Sequence, residues 1–116
     1  MPEMNPDEIQ QAIYDTFDKL EMIVDEYAKA RADKNYCDEF KKVALNLAKS
    51  ASESTTVAGK EQDAYTSESY KKYLWKSFEI DTLFYQLDGR KSALEHKLDA
   101  LRSLLSYNKD QINRAI

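Results

Sequence analysis

The feature that most constrains this chain is a register. Starting at Ile80, the residues Phe84, Leu87, Lys91, Leu94, Leu98, Leu101, Leu105, Asn108, Ile112 and Ala115 follow one another in alternating steps of four and three. That spacing keeps one face of an α-helix turned the same way, and held over five heptads it predicts a long helix packed on another helix. Only Lys91 and Asn108 are polar in the series. Both prolines, Pro2 and Pro6, precede Asp7, so no later residue forbids a helix by its ring. Gly89 costs about 1 kcal/mol relative to alanine in a helix interior. Ser92 with Glu95 offers a capping box for a fresh helix. The register runs unbroken across both, which favours one helix, straight or kinked at Gly89. Drawn from about Lys60 to Asn113 at about 1.5 Å per residue, it spans roughly 80 Å. A helix of that length folds against the N-terminal segment, pairs with other subunits, or does both.

The first half reads as helix with an interrupted seam. Asn5-Pro6-Asp7-Glu8 is a start signal: a capping residue, proline at the first helical position and acids in the first turn. Ile13, Phe17, Leu20, Val24 and Tyr27 then step by four and three, and the next position is the charged Arg31. Tyr36, Phe40, Val43 and Leu47 resume the alternation out of phase, predicting a bend, a loop near Asp33-Lys34-Asn35, or a register shift within one helix. "SASESTTVAGK", residues 50–60, is small, polar and β-branched and predicts the main connection. The organisation expected is one domain: an acidic helical segment over 1–49, a connecting loop over 50–60, and a long helix over 61–116.

Charge is unevenly spread. Residues 1–30 carry eight acids against two lysines, residues 31–89 ten acids against nine bases, and residues 90–116 three acids against six bases. A low overall pI therefore coexists with local basic surface, and argues only against indiscriminate binding to nucleic acid. The single cysteine, Cys37, allows no disulfide within the chain, so a reducing, cytoplasmic setting is expected. No apolar run approaches the ~20 residues of a membrane span. His96 is the only histidine, no cluster has metal-ligand spacing, and neither a glycine-rich phosphate loop nor a nucleophile elbow is present. The expectation is a protein without enzymatic activity, metal or cofactor.

Two groups of residues invite a functional reading. The Leu94, Leu98, Leu101, Leu105 seam, extended by Asn108 and Ile112, serves either an intrachain hairpin or homo-oligomerisation. Leucine at both core positions packs well but sets subunit number poorly, and a polar residue such as Asn108 fixes register. "AYTSESYKKYLWK", residues 64–76, interleaves rings with lysines. Projecting the register backward puts Tyr70 and Tyr73 on the core seam. Trp75, Phe78 and Tyr85 fall on the opposite side, with Lys71, Lys72 and Lys76 around them. That second stripe either packs against the N-terminal helix, with lysine stems over its rings, or stacks on bases while the lysines follow phosphates.

Val57, Ala58, Lys60, Tyr65 and Ser67 lie in "VAGKEQDAYTSESY", which resembles a segment of phage recombination-mediator proteins of the UvsY type. Asp81-Thr82 followed by Leu98-Asp99-Ala100-Leu101-Arg102-Ser103 looks like a second cluster of that family, so the resemblance covers residues 57 to about 112. It implies a catalytically inactive factor that binds single-stranded DNA and forms ring-like homo-oligomers through its C-terminal helix. It also implies partners: a RecA-like recombinase and a single-strand binding protein, which the recombinase displaces with the factor's help. Lys60 occupies a basic position of the first motif, whereas Gln62 stands where a second base is usual.

The fold expected is therefore all-α, an elongated helical hairpin or bundle with a long C-terminal coiled-coil helix, oligomeric through Leu94–Ile112. The DNA-binding residues expected are Lys60, Lys71, Lys72, Lys76 and Trp75, with no membrane contact. Rival expectations are a scaffolding coiled coil without nucleic acid, and an acidic phage inhibitor of a host nucleic-acid-binding protein.

Overall fold

The structure, a computed structural model, describes residues 4–115. Its helices are α1 (Pro6–Ser50), α2 (Val57–Thr66) and α3 (Glu68–Ala115), and no strand occurs among the described residues. The fold is all-α. Asn5 starts α1 as its sequence suggests: its side-chain oxygen accepts from the Glu8 N–H at 2.9 Å and its amide donates to the Glu8 carboxylate at 3.2 Å. The first of these satisfies a backbone N–H that the helix start leaves without an intrahelical partner, and the second holds the two side chains together.

α1 runs without interruption through residues 31–36, so the phase offset there is a register shift and not a loop. The reason lies in which residues face inward. Phe17 is 40% exposed and Val24 55%, while Ile9, Thr16, Ala30, Cys37 and Ala48 are buried. Apart from Ile9, the buried positions of α1 are thus small, and Thr16, Cys37 and Ala48 each stand one position from a large exposed residue, Phe17, Tyr36 and Leu47. α3 supplies the bulk: its expected seam faces inward, with Tyr70, Leu87, Leu98 and Leu101 buried. Large side chains on one helix meeting small ones on its neighbour pack closely without voids. Thr16 is tolerated because its hydroxyl donates to the Ala12 carbonyl at 2.7 Å.

The chain divides into two compact units. The first contains residues up to Tyr27 and from Leu87 onward. In it the two helices run antiparallel: the Tyr27 hydroxyl donates to Asp88 at 3.3 Å, and the Arg102 guanidinium lies 5.5 Å from the centre of the Phe17 ring. The Asn108 amide donates to the Met4 carbonyl at 3.2 Å. Lys91, the charged member of the seam, pairs with Glu95 on its own helix and sits over the Tyr27 ring at 5.2 Å.

The second unit spans Ala28–Gln86 and holds the connection. It is shorter than expected, Ala51 to Thr56, because α2 already begins at Val57. Thr56 caps α2 by accepting from the Gly59 N–H at 3.0 Å, and the Ser52 hydroxyl donates to Asp63 at 2.7 Å. The expected helix over 61–116 is in fact two, divided at Ser67. Its backbone is extended, its hydroxyl donates to the Ala64 carbonyl at 2.7 Å, and its oxygen accepts from the Tyr70 N–H at 3.2 Å. One serine thus closes α2 and opens α3. The change of direction brings Ala64 and Tyr70 into one buried cluster with Ala48.

The two glycines have opposite roles. A Cβ on Gly89 meets nothing, so Gly89→Ala raises stability by about 1 kcal/mol at most, read from urea melts. A Cβ on Gly59 collides with the Ser54 hydroxyl and crowds the Thr56 cap, so Gly59→Ala lowers stability in the same melts.

Candidate nucleic-acid interface

α3 turns Tyr70 and Tyr73 inward, and helical geometry then turns Trp75 almost directly outward. Trp75 is 65% exposed and Phe78 60%. Their rings stack with centroids 5.6 Å apart and planes 20° from parallel. Lys71, one turn before Trp75 on the same face, makes only a 3.8 Å contact with the exposed Glu68. Lys72 and Lys76 form an adjacent column on the other side of Trp75, both exposed and neither in an ion pair among the described residues. Three free or loosely held cations thus surround two stacked rings within about two turns of helix. Packing of this stripe against the N-terminal helix is not what the structure shows for Trp75 and Phe78. It does hold for Tyr85, over whose ring the Lys34 ammonium lies at 5.7 Å.

The other sequence-derived positions fall elsewhere. Lys60 is exposed on α2, and among the described residues no contact joins it to the Trp75 group. Leu98 and Leu101 are buried and Leu94 and Leu105 partly so, all on the face that α3 turns to α1 of the same chain. Asn108 holds the Met4 carbonyl, and Ile112 is half exposed. The leucine seam read as a surface for other subunits is therefore occupied within the chain.

Two arrangements escaped sequence reasoning because they join residues far apart in the chain. One is a relay of rings in the second unit: Tyr36, Phe40, Tyr73, Tyr70 and Tyr65 succeed one another at centroid separations of 5.9, 6.2, 5.8 and 5.7 Å. The Tyr73 hydroxyl donates to the Cys37 carbonyl at 2.6 Å. Burial, then that hydrogen bond, push its pKa up to about 12. The other is Lys34, which bonds Asp38 at 2.9 Å on its own helix and approaches Asp81 of α3 at 3.6 Å. The bond to Asp38 raises its pKa against the opposing effect of desolvation, and Asp81 adds to the rise. Both arrangements tie α1 and α3 together within the second unit. No group of acids, cysteine and histidine able to hold a metal occurs among the described residues, and none of the helices is long and apolar enough to cross a membrane.

Compared with protein-family models, curated proteins and solved structures, the chain gives no significant match in any of the three. The functional reading therefore rests on the residues themselves.

The Tyr73 bond yields a pH signature. Its folded pKa lies above the ordinary tyrosine value, so its contribution is complete below about pH 10 and is lost as pH rises through about 12. Tyr73→Phe should cost about 0.5–1.5 kcal/mol at neutral pH and flatten that alkaline loss, measured by denaturant midpoints across pH.

Proposed function

We propose that this protein is a non-enzymatic single-stranded DNA-binding factor, acting as a recombination mediator that helps load a RecA-like recombinase. The observation that carries the DNA-binding part is the exposed Trp75–Phe78 stack set among Lys71, Lys72 and Lys76. Every base offers a π-face, so exposed rings bind single strands without strict sequence preference, and cations beside them neutralise phosphates. A duplex hides those faces, which favours the single strand over the double. The mediator role, with its recombinase and single-strand binding protein partners, is supported by the resemblance carried by Val57, Ala58, Lys60, Tyr65 and Ser67. These residues lie together on α2 and its closing serine.

A scaffolding role is the competing reading, and the outward lysine column discriminates: a scaffold has no need of cations beside an exposed tryptophan. Trp75 is the only tryptophan, so its emission reports directly on the site. Oligo(dT) should quench it at low salt. Trp75→Ala should weaken binding by about 1–3 kcal/mol. Lys71→Ala/Lys72→Ala should reduce the salt dependence of affinity by about 0.7 in log–log slope for each phosphate that is no longer neutralised. Unchanged emission with saturating DNA, or a salt slope unaffected by removing the lysines, sinks the assignment.

A further inference from the structure

A groove beside the Trp75 group carries chemistry that the stacked rings do not use. It lies between α1 and α3 within the second unit and has a volume of about 420 Å³. Asp33 and Tyr36 line it from α1, and Lys76, Glu79, Ile80 and Leu83 from α3. Lys76 belongs to both places, being the residue after Trp75 and one of the lysines around the stack. Glu79 follows Trp75 by one helical turn, about 40° around the axis, and Leu83 follows Glu79 by another. The groove therefore begins where the stack ends.

Its walls offer a ring and two acids. Tyr36 is 69% exposed, and its ring stacks on Phe40 with centroids 5.9 Å apart and planes 15° from parallel. It is thus a second aromatic surface, held by a neighbour as Trp75 is held by Phe78. Asp33 meets the Lys29 ammonium through its Oδ2 at 2.9 Å, and Glu79 is exposed and makes no ion pair among the described residues. An ionised carboxylate only accepts hydrogen bonds, and it repels a phosphate. A strand that laid its backbone in this groove would set phosphates against both acids. A base edge suits them better. Carboxylate oxygens accept from the exocyclic amino groups of cytosine, adenine and guanine. Lys29 and Lys76, on the same lining, donate to the ring nitrogens and carbonyl oxygens beside those groups. Thymine has no amino group, and its single N–H is flanked by two carbonyl oxygens that the acids repel.

We propose that this groove reads a base: it seats one nucleobase of the bound single strand on Tyr36 and favours a base with an exocyclic amino group over thymine. A strand whose phosphates follow Lys72 and Lys76 carries its next base over the groove. Trp75, Phe78 and the lysines then supply affinity common to all sequences, while Asp33 and Glu79 supply the preference. That preference rests on the single-strand reading of the Trp75 group, and it is more than stacking alone gives.

Two pyrimidine homopolymers of equal length test it, because they match in ring size and backbone. Titrations of the full chain at low salt and mildly alkaline pH, followed by Trp75 emission, should give a Kd roughly tenfold lower for oligo(dC) than for oligo(dT). Asp33→Ala/Glu79→Ala should make the two constants equal, with circular dichroism showing intact helices. Asp18→Ala/Asp25→Ala removes the same charge from the first unit and should keep the preference. Tyr36→Ala should lose most of the preference by removing the seat, while Trp75 is still quenched. Equal wild-type constants, tighter binding of oligo(dT), or a preference that survives loss of Asp33 and Glu79 overturns the groove assignment and leaves the single-strand site standing. Emission that neither oligonucleotide changes overturns both.

Discussion

The structure depends on a division of size between two helices. α3 offers a seam of leucines and aromatic rings, and beyond Ile9 α1 answers with the small Thr16, Ala30, Cys37 and Ala48. Close approach of backbones is what this pairing yields, and several polar contacts then become possible. The Tyr73 hydroxyl reaches the Cys37 carbonyl, the Tyr27 hydroxyl reaches Asp88, and Lys34 comes near Asp81. Each is directional, so each works in one register. An apolar seam with a seven-residue period has near-equivalent alignments one heptad apart, and such polar contacts separate the right one from the rest.

The same division determines what stands outside. Because small residues hold most of the fully buried positions on α1, several of its large ones stand at the surface: Tyr14, Phe17, Val24, Tyr36, Val43 and Leu47 are all exposed by 40% or more. On α3 the seam absorbs Leu87, Leu98 and Leu101 and leaves Trp75 and Phe78 outward. The binding surfaces argued above are thus consequences of how the core was built. A chain with two glycines and no proline beyond Pro6 has few loops on which to carry function, so function falls to helix faces.

How much of this the sequence disclosed follows from the kind of signal involved. The α3 seam was legible residue by residue, because large apolar side chains at a fixed period mark a buried face. From it the outward direction of Trp75 and the lysines followed directly. The α1 seam was misread at Phe17 and Val24, since counting large apolar residues selects the wrong face when the opposing helix already supplies the bulk. Ser67 was invisible as a boundary: its two hydrogen bonds reach only Ala64 and Tyr70, but serine also occurs widely on helix surfaces. The ring relay and the Lys34–Asp81 approach needed the pairing register, which no local pattern contains.

The hairpin connection also orders the cost of assembly. Contacts near the turn join residues close in sequence, such as Ser52 with Asp63 and Ala48 with Ala64, whereas the Asn108–Met4 bond closes a loop of nearly the whole chain. Loop-closure entropy grows only slowly with length, but contacts of long separation form quickly only after shorter ones have shortened the path between their ends. The cheapest route therefore begins at the double serine–threonine capping around α2 and travels outward, each turn of paired helix reducing the search left to the next. The small α2 segment, which adds least to the core by area, is by this logic the clasp from which the rest is drawn together.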